Sequence, residues 1–429
     1  MLPPTLSHQP KALKQESAPA LSNYKAFKFR LYPTLEQGEY FFKSAGCCRF
    51  VWNYFLNKTC EEYRTTGKFL FRYDLQKLLP GMKKEFPWLK EVDSQALQGV
   101  ALNLDSALKR RFNKKSKKQA GFPRFKSKRD NKNSFVLSGR FRINSKKLQV
   151  PKIGLVKYRN SRRLEGKVKS ATISLDVDQW YVSVLCELPD VKHEINHSNS
   201  VGIDVGLKTF AITSDGECFD LPYIKSETKQ LKKLQRKHAK KAKGSTNRNK
   251  SRIKVARKYR QIRRKKTDKI NNIVSAITKQ YDIVITEDLN ISGMKKNRCL
   301  SNAIHQASWG QLFGKLEHKS KVFYKIDRWY PSSKTCSNCG HKKDKLSLAE
   351  RVFNCEACGL SIDRDLNAAI NIRMFYHTNQ NTGTVPGIQA CGDTAIGDSE
   401  LVSGSRYVLL NQEYESEDSR STAIPLFMN

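Results

Sequence analysis

Four cysteines in two CxxC pairs are the residues of this sequence best suited to hold a metal ion. Cys336 and Cys339 form the first pair, and Cys355 and Cys358 form the second. Thiolates separated by two residues can grip one ion from a single tight turn, and the segment between the pairs is long enough for a closing hairpin. The pattern predicts one structural zinc ion in a knuckle over residues 331–361. Unrelated core thiols or disulfides are the alternatives.

Three acidic residues on separate elements form a second candidate metal site. Asp204 lies in the middle of an apolar strand, Glu287 ends a second strand, and Asp365 falls in the first turn of an alanine-rich helix. A carboxylate among apolar residues is unfavourable unless a cation or donor satisfies it, and a helix start favours Asp365. We expect the three acids to hold two Mg²⁺ or Mn²⁺ ions that hydrolyse phosphodiesters. A turn cap for Asp204 and a solvent-facing strand end for Glu287 are the structural alternatives.

The charge of the chain predicts a polyanionic partner. The 429 residues include 79 Lys or Arg against 40 Asp or Glu, a net charge of +39. Nucleic acid is the expected partner, and a basic surface for acidic membranes or proteins is the alternative. No apolar run is long enough to span a membrane, and no secretory signal precedes the fold. The eleven cysteines fit a reducing compartment, so we expect a cytoplasmic protein without a membrane partner.

Candidate nucleic-acid contacts fall in two basic stretches. Over residues 110–129 cations alternate with aromatic residues that can stack on bases. Residues 225–280 read as a basic helical hairpin, with twenty-one Lys or Arg and two acids between 225 and 269. A solvated charged face is the alternative for such a run. The candidate contacts are Arg110, Arg111, Lys114, Lys115, Phe122, Arg124, Lys126, Lys128, Lys232, Lys233, Arg236, Arg257, Arg260, Arg263 and Arg264.

Hydrophobic patterning predicts a multi-domain α+β protein. A polar, disordered stretch at residues 1–22 precedes a small β-barrel over 23–195, and a helical lobe at about 34–118 interrupts that barrel. A polar linker then leads to an α/β domain over 196–376, into which the knuckle is inserted. Thr34 and Asp363 are predicted helix caps. Residues 377–429 form an acidic, flexible tail to which no motif assigns a role.

The order of these motifs resembles the TnpB/OrfB proteins encoded by insertion sequences, which are relatives of type V CRISPR effectors. The similar segments, within about residues 24–376, are 28–33, 123–128, 202–206, 287–290, both CxxCG pairs and 363–369. The resemblance implies a C-terminal RuvC nuclease domain of RNase H-like fold, split by the zinc element. It also implies a wedge-like N-terminal barrel that carries a helical recognition lobe.

The same resemblance implies an RNA-guided DNA endonuclease. Such a protein binds a guide RNA derived from the transposon and cleaves double-stranded target DNA beside a short adjacent motif. Asp204, Glu287 and Asp365 are then the catalytic, magnesium-binding acids, and the four cysteines bind zinc. The resemblance places the protein at the nucleoid of a prokaryote, where a separate transposase of the same element could be a partner. Two alternatives remain, a DNA transposase that needs no RNA and a non-catalytic nucleic-acid-binding regulator of transposition.

Overall fold

The computed structural model describes residues 23–113, 120–130, 132–139, 141–189, 194–347 and 349–381. The predictions for residues 1–22, for Lys114 and Lys115, and for the tail beyond residue 381 lie outside these ranges. Among the helices of the described part, none is both long and apolar enough to cross a membrane.

The first half of the chain forms a seven-stranded antiparallel sheet. Its strand order is β2-β6-β7-β1-β5-β4-β3, so β2 and β3 are the edges of the pairing among described residues. The predicted barrel closure therefore stays a prediction. Alternate residues of the first strand, Phe27, Phe29 and Leu31, are buried in the core, as expected for a half-buried strand. The strands are β1 (Asn23–Tyr32), β2 (Ser134–Ser138), β3 (Arg142–Ile143), β4 (Lys147–Val150), β5 (Gly154–Tyr158), β6 (Lys167–Asp176) and β7 (Gln179–Leu188).

Three helices follow β1: α1 (Leu35–Thr66), α2 (Arg72–Glu85) and α3 (Ser94–Phe112). Of these, α1 and α3 pack on β2 of this sheet, and α2 packs on α3. Thr34 caps α1 as predicted, because its hydroxyl accepts a hydrogen bond from Gln37 N at 3.3 Å. The helix α2 runs through Pro80 to Glu85 and buries Met82 in its last turns.

The second half contains a five-stranded sheet of order β10-β9-β8-β11-β12. The strands β8, β11 and β12 are parallel, while β9 pairs antiparallel with β8 and β10 pairs antiparallel with β9. The central strand, β8, is therefore the first strand of this sheet in chain order. The strands are β8 (Ser200–Asp204), β9 (Ala211–Thr213), β10 (Cys218–Phe219), β11 (Ile283–Glu287) and β12 (Val322–Ile326).

The helices of this half cover the sheet and connect its strands. As the sequence predicts, a hairpin of α4 and α5 lies between β10 and β11, and α9 begins one residue before Asp365. The last helix continues past the predicted boundary at residue 376, because Tyr376 is buried and the His377 ring nitrogen contacts Ser200 Oγ at 2.7 Å. The helices are α4 (Lys225–Ala239), α5 (Thr246–Gln280), α6 (Ile291–Met294), α7 (Ser301–Ala307), α8 (Trp309–Lys319) and α9 (Arg364–Asn381).

Candidate metal centres and nucleic-acid interface

The four cysteines of the two CxxC pairs converge on one point. Their sulfur atoms all lie within 4.8 Å of one another, with Cys336 Sγ 3.6 Å from Cys358 Sγ and Cys339 Sγ 3.5 Å from Cys355 Sγ. These separations are too long for disulfide bonds and suit ligands around one ion. A hydrogen bond from the Leu360 backbone, and then one from Asn338, lower the pKa of the Cys358 thiol to about 6.

Two matching turns and a short hairpin build this site. Gly340 N donates to Cys336 O and Gly359 N donates to Cys355 O, each at 3.0 Å. Both glycines have positive φ, 76° and 73°, which a residue with a Cβ adopts only with strain. The hairpin strands β13 (Val352–Asn354) and β14 (Ser361–Asp363) pair antiparallel and bury Phe353. A thiol-only ligand set in this geometry fits zinc.

Two of the candidate acids end neighbouring parallel strands. Asp204 is the last residue of β8 and Glu287 the last of β11, and the residues before them, Ile203 and Thr286, are paired in register. Asp204 was expected in the middle of its strand. The strand instead ends there, where Asp204 Oδ1 accepts a hydrogen bond from Val205 N at 2.9 Å. Adjacent strands are about 4.8 Å apart, so both side chains leave the same edge of the sheet.

The third acid reaches this edge because α9 packs directly on β8. A Cβ added to Gly202 would lie 2.2 Å from Ala369 O, so a larger residue in β8 would push the helix away. Asp363 caps α9 as predicted, since its Oδ1 accepts from Asp365 N at 2.9 Å and from Leu366 N at 3.0 Å. Asp365 Oδ2 then lies 4.0 Å from the position of a Cβ on Gly206, just beyond Asp204.

Asp204 is affected electrostatically by the other two carboxylates. Burial raises the pKa of Asp204 well above its usual value, and the charges of Glu287 and Asp365 raise it further. Burial also raises the pKa of Glu287, against a hydrogen bond from Ser332. Within the described residues no ion pair neutralises any of the three. Such a set of hard oxygen donors suits divalent cations, although the carboxylates do not form one compact ligand group as the four thiols do.

Three polar residues that sequence reasoning missed connect the two candidate metal sites. Ser332 Oγ donates to Glu287 Oε1. Asn371 Nδ2 donates to Ser332 O at 2.8 Å and to Thr335 O at 2.6 Å. Asn367 Nδ2 donates to Thr335 O at 2.7 Å, so both buried amides of α9 hold the segment that enters the zinc element. The sequence signal for this role is the pair Asn367 and Asn371, because two asparagines four residues apart in an apolar helix lie on the same helix face.

The arginines predicted on α5 face the N-terminal sheet. Arg257 and Arg260 pair with Asp178 at 2.7 Å, and Arg263 pairs with Asp176 at 2.8 Å. Arg264 Nη2 donates to Gln179 and Tyr181 of the adjoining strand. Arg260 is only 7% exposed. It joins two parts of the protein and is too buried to be the phosphate contact that the sequence predicted. By contrast, three candidates on α4 are exposed: Lys232, Lys233 and Arg236.

The aromatic and basic segment after α3 lies along α1. Asn53 holds it with two hydrogen bonds to the Lys126 backbone, at 3.0 and 2.7 Å, and Trp52 Nε1 donates to Arg124 O at 3.0 Å. The ammonium of Lys126 lies 3.6 Å from the centre of the Trp52 ring, and desolvation lowers its pKa to about 8. The other described candidates of this stretch are Phe122, Arg124 and Lys128, which are exposed, and Arg110 and Arg111 at the end of α3.

Three protein-family models match the chain. The OrfB model of IS605-type elements, described as "Probable transposase", matches residues 183–298. A Cas12f1-like TNB domain matches residues 309–372, and an OrfB helix-turn-helix domain matches residues 23–68. In this structure residues 23–68 contain the strand β1 and the single long helix α1.

Curated relatives cover most of the chain. A protein of Streptomyces pristinaespiralis, named as a candidate RNA-guided DNA endonuclease, is 33% identical over 360 residues, which are 81% of this chain and 88% of the relative. InsQ of Escherichia coli strain K12, named in the same way, is 29% identical over 398 residues, or 87% of this chain and 95% of InsQ.

Among solved structures, a Cas12f1 complex with guide RNA and target DNA aligns with a TM-score of 0.42 and 14% identity, over 82% of this chain and 99% of the other. The sequence relationship is much the stronger finding. On its 33% identity to a relative matched along most of its length, this chain belongs to the TnpB/OrfB family.

Proposed function

We propose that this protein is an RNA-guided DNA endonuclease that cleaves target DNA with Asp204, Glu287 and Asp365. The observation that carries the proposal is the placement of these acids at one edge of the five-stranded sheet, on the ends of β8 and β11 and the start of α9. The names of the curated relatives support both the nuclease activity and the use of a guide.

The strand order of the second sheet supports an RNase H-like nuclease domain of RuvC type. Its first strand in chain order is central. On one side lies the antiparallel second strand, followed by the third strand, which pairs antiparallel with the second, and on the other side lie the parallel fourth and fifth strands. We assign this domain to residues 196–376 together with the end of α9. Residues 23–195 then form the wedge-like domain, with α1 to α3 as its recognition lobe at about 34–118.

The acids fit a pair of Mg²⁺ or Mn²⁺ ions, because the charges of Glu287 and Asp365 oppose the ionisation of the buried Asp204 and the charge of Arg364 offsets them only in part. When bound, such ions activate water and stabilise the leaving oxygen of a phosphodiester. Asp204 lies between the other two elements and is the proposed shared ligand. Ser332 orients Glu287, and the Asp363 cap fixes the turn that carries Asp365.

The four cysteines fit one zinc ion with a scaffolding role. The four protein thiols would fill all four ligand positions of a zinc ion and would leave no open position for a substrate. The element they close begins at Ser332, which contacts Glu287, and ends at α9, which carries Asp365. A folded zinc site would therefore hold these two acids in fixed relative positions.

The basic surface would hold the guide RNA and its hybrid with DNA. A protein that delegates sequence reading to base pairing needs contacts with the nucleic-acid backbone, which supply affinity without sequence preference. The exposed cations of α4 and the segment around Phe122 and Arg124 are the proposed contacts. Their placement on separate parts of the fold suits a long heteroduplex.

Sequencing the RNA that copurifies with the protein, followed by reprogramming, tests the proposal. We expect one RNA species with a variable end, and Mg²⁺-dependent cleavage that moves to a new DNA sequence when that end is changed. Cleavage of plain duplex without RNA, or cutting that ignores the change of guide, would refute the guided reaction.

A transposase is the second candidate, favoured by the match to a family described as "Probable transposase". It would use the same acids to join a transposon end to target DNA without a guide. A strand-joining assay with labelled transposon ends and no RNA separates the two functions, because only the transposase yields joined products. A non-catalytic regulator would bind nucleic acid and produce neither cleavage nor joining.

A further inference from the structure

The loop between β12 and the zinc element carries a tryptophan whose side chain is exposed to solvent rather than packed in the core. Trp329 is 84% exposed, although tryptophan is a residue that proteins usually bury in large part. Its neighbour Tyr330 behaves differently, since that ring is half-buried and packs 4.5 Å from the ring of Phe375 on α9. The loop therefore packs one of its two adjacent aromatic side chains against α9 and exposes the other.

Both ends of this loop are attached to Glu287 or its neighbour. Ile326 pairs with Glu287 in the β11–β12 register, and Ser332 Oγ donates to Glu287. Between them, Arg328 forms an ion pair with Asp288. Trp329 is three residues from each end, so its Cα lies within about 10 Å of the residues that contact Glu287. The exposed ring is thus carried by a loop that is anchored on both sides to Glu287, one of the acids of the proposed cleavage site.

The conformation of the loop is fixed by its own hydrogen bonds. Trp329 N donates to Asp327 Oδ1 at 2.7 Å, and Tyr330 N donates to Asp327 O at 3.2 Å. Together with the Arg328 ion pair, these bonds define the backbone on both sides of the tryptophan. A rigid loop with an exposed aromatic tip loses little conformational entropy when a ligand stacks on it.

We propose that Trp329 is a stacking site for an unpaired base of the DNA strand that enters the cleavage site. This inference rests on the proposed function, because it takes a nucleic-acid strand as the ligand of the acids beside the loop. A nucleobase is the ligand class that matches a flat, exposed indole on a protein of net charge +39. Every base has a π-face, so the site holds the strand without reading its sequence.

The size of the expected effect follows from stacking energies. One base stacked on an aromatic ring contributes roughly 5-fold to 150-fold in affinity. Phosphate contacts elsewhere on this basic protein would hide that difference at low salt. Binding is therefore best measured in about 0.5 M salt, where exposed charges are strongly screened.

The test uses the full-length protein with its copurified RNA, without added Mg²⁺. The probe is an oligo(dT) strand that carries 5-iododeoxyuridine for photocrosslinking, or a fluorescent label for anisotropy. We expect the crosslinked peptide of the wild type to contain Trp329. Trp329→Ala should weaken binding at least about five-fold, whereas Trp329→Phe, which keeps a ring, should recover most of the affinity.

Tyr223→Ala is the matched control, because Tyr223 is also highly exposed, at 78%, but lies before α4 rather than in this loop. Crosslinks that omit the Trp329 peptide, unchanged binding by Trp329→Ala, or an equal loss in Tyr223→Ala would each overturn the stacking site. Failure of the proposed nuclease function would appear elsewhere, as absent cleavage by the wild type in a parallel reaction with Mg²⁺.

Discussion

Ser332 donates a hydrogen bond to Glu287, so the first residues of the zinc element hold an acid at the end of β11. Asn371 of α9 holds the backbone oxygen of the same serine at 2.8 Å. Glu287, the zinc element and the helix that carries Asp365 therefore form one connected hydrogen-bonded unit. A disturbance in any part of this unit should reach the proposed cleavage site.

Ser332→Ala should weaken magnesium binding without unfolding the protein. A hydrogen bond to a charged group contributes about 1.5–3 kcal/mol, and its loss frees the Glu287 carboxylate to rotate. We expect the Mg²⁺ concentration for half-maximal cleavage to rise about ten-fold, with little change in guide RNA affinity. Ser333→Ala is the control. Equal Mg²⁺ dependence in both variants would show that Ser332 does not position Glu287.

Cys355→Ser should remove zinc and disturb the relative positions of Glu287 and Asp365. Loss of one thiolate from a four-thiolate site opens the coordination shell and weakens zinc binding severely. We expect wild-type protein to contain about one zinc per chain by elemental analysis, and the variant to contain little. The variant should also melt at a lower temperature and cleave poorly. Cys299→Ser, which replaces an exposed cysteine outside the cluster, should retain zinc and activity, and a zinc-free active Cys355→Ser protein would contradict the account.

Asp204→Asn should stabilise the protein at neutral pH when Mg²⁺ is absent. Burial and the two neighbouring carboxylates raise the folded-state pKa of Asp204 above its unfolded value of about 3.9. Its contribution to stability is thus fully present below that value and is lost as pH rises through the raised pKa. Thermal melts from pH 4 to pH 8 should show the variant gaining over wild type as pH increases. A wild type that is the more stable protein at pH 7 would refute this electrostatic picture.

Two arginine substitutions should separate structural from nucleic-acid-binding cations. Arg260→Ala should destabilise folding by roughly 1–3 kcal/mol, because it removes a buried guanidinium that donates to the backbone carbonyl of Asp176 and forms an ion pair with Asp178. Arg236→Ala, on the exposed face of α4, should leave stability unchanged. In salt titrations of RNA binding, Arg236→Ala should lower the slope by about one. The opposite assignment would follow if Arg260→Ala changed the salt slope and left the unfolding free energy intact.

The sequence was sufficient to predict the elements that carry the site. An apolar run around Asp204 predicted β8, an apolar run that ends in Glu287 predicted β11, and the spacing of the cysteines predicted their cluster. These features depend on local pattern alone. The partners of Arg257 and Arg260 could not be predicted in this way, because Asp176 and Asp178 lie about eighty residues earlier and meet α5 only in the folded chain. The role of Ser332 was hidden for the same reason.

The end of β8 shows a second limit of sequence patterns. Val205 continues the apolar run, so Asp204 seemed to lie within the strand. The backbone turns there because the Asp204 carboxylate accepts the Val205 N–H and Gly206 allows a close approach to Thr209. Hydrophobic periodicity does not report such a local hydrogen bond.

The central claim is that guided DNA cleavage depends on the acids at the sheet edge. The most direct measurement compares wild type and Asp204→Asn, each loaded with the same guide RNA, on one matched DNA duplex with Mg²⁺. We predict a loss of cleavage of at least about 1000-fold, as expected for an essential metal ligand, with RNA affinity unchanged within about two-fold. Cleavage by Asp204→Asn at the wild-type rate would contradict the account.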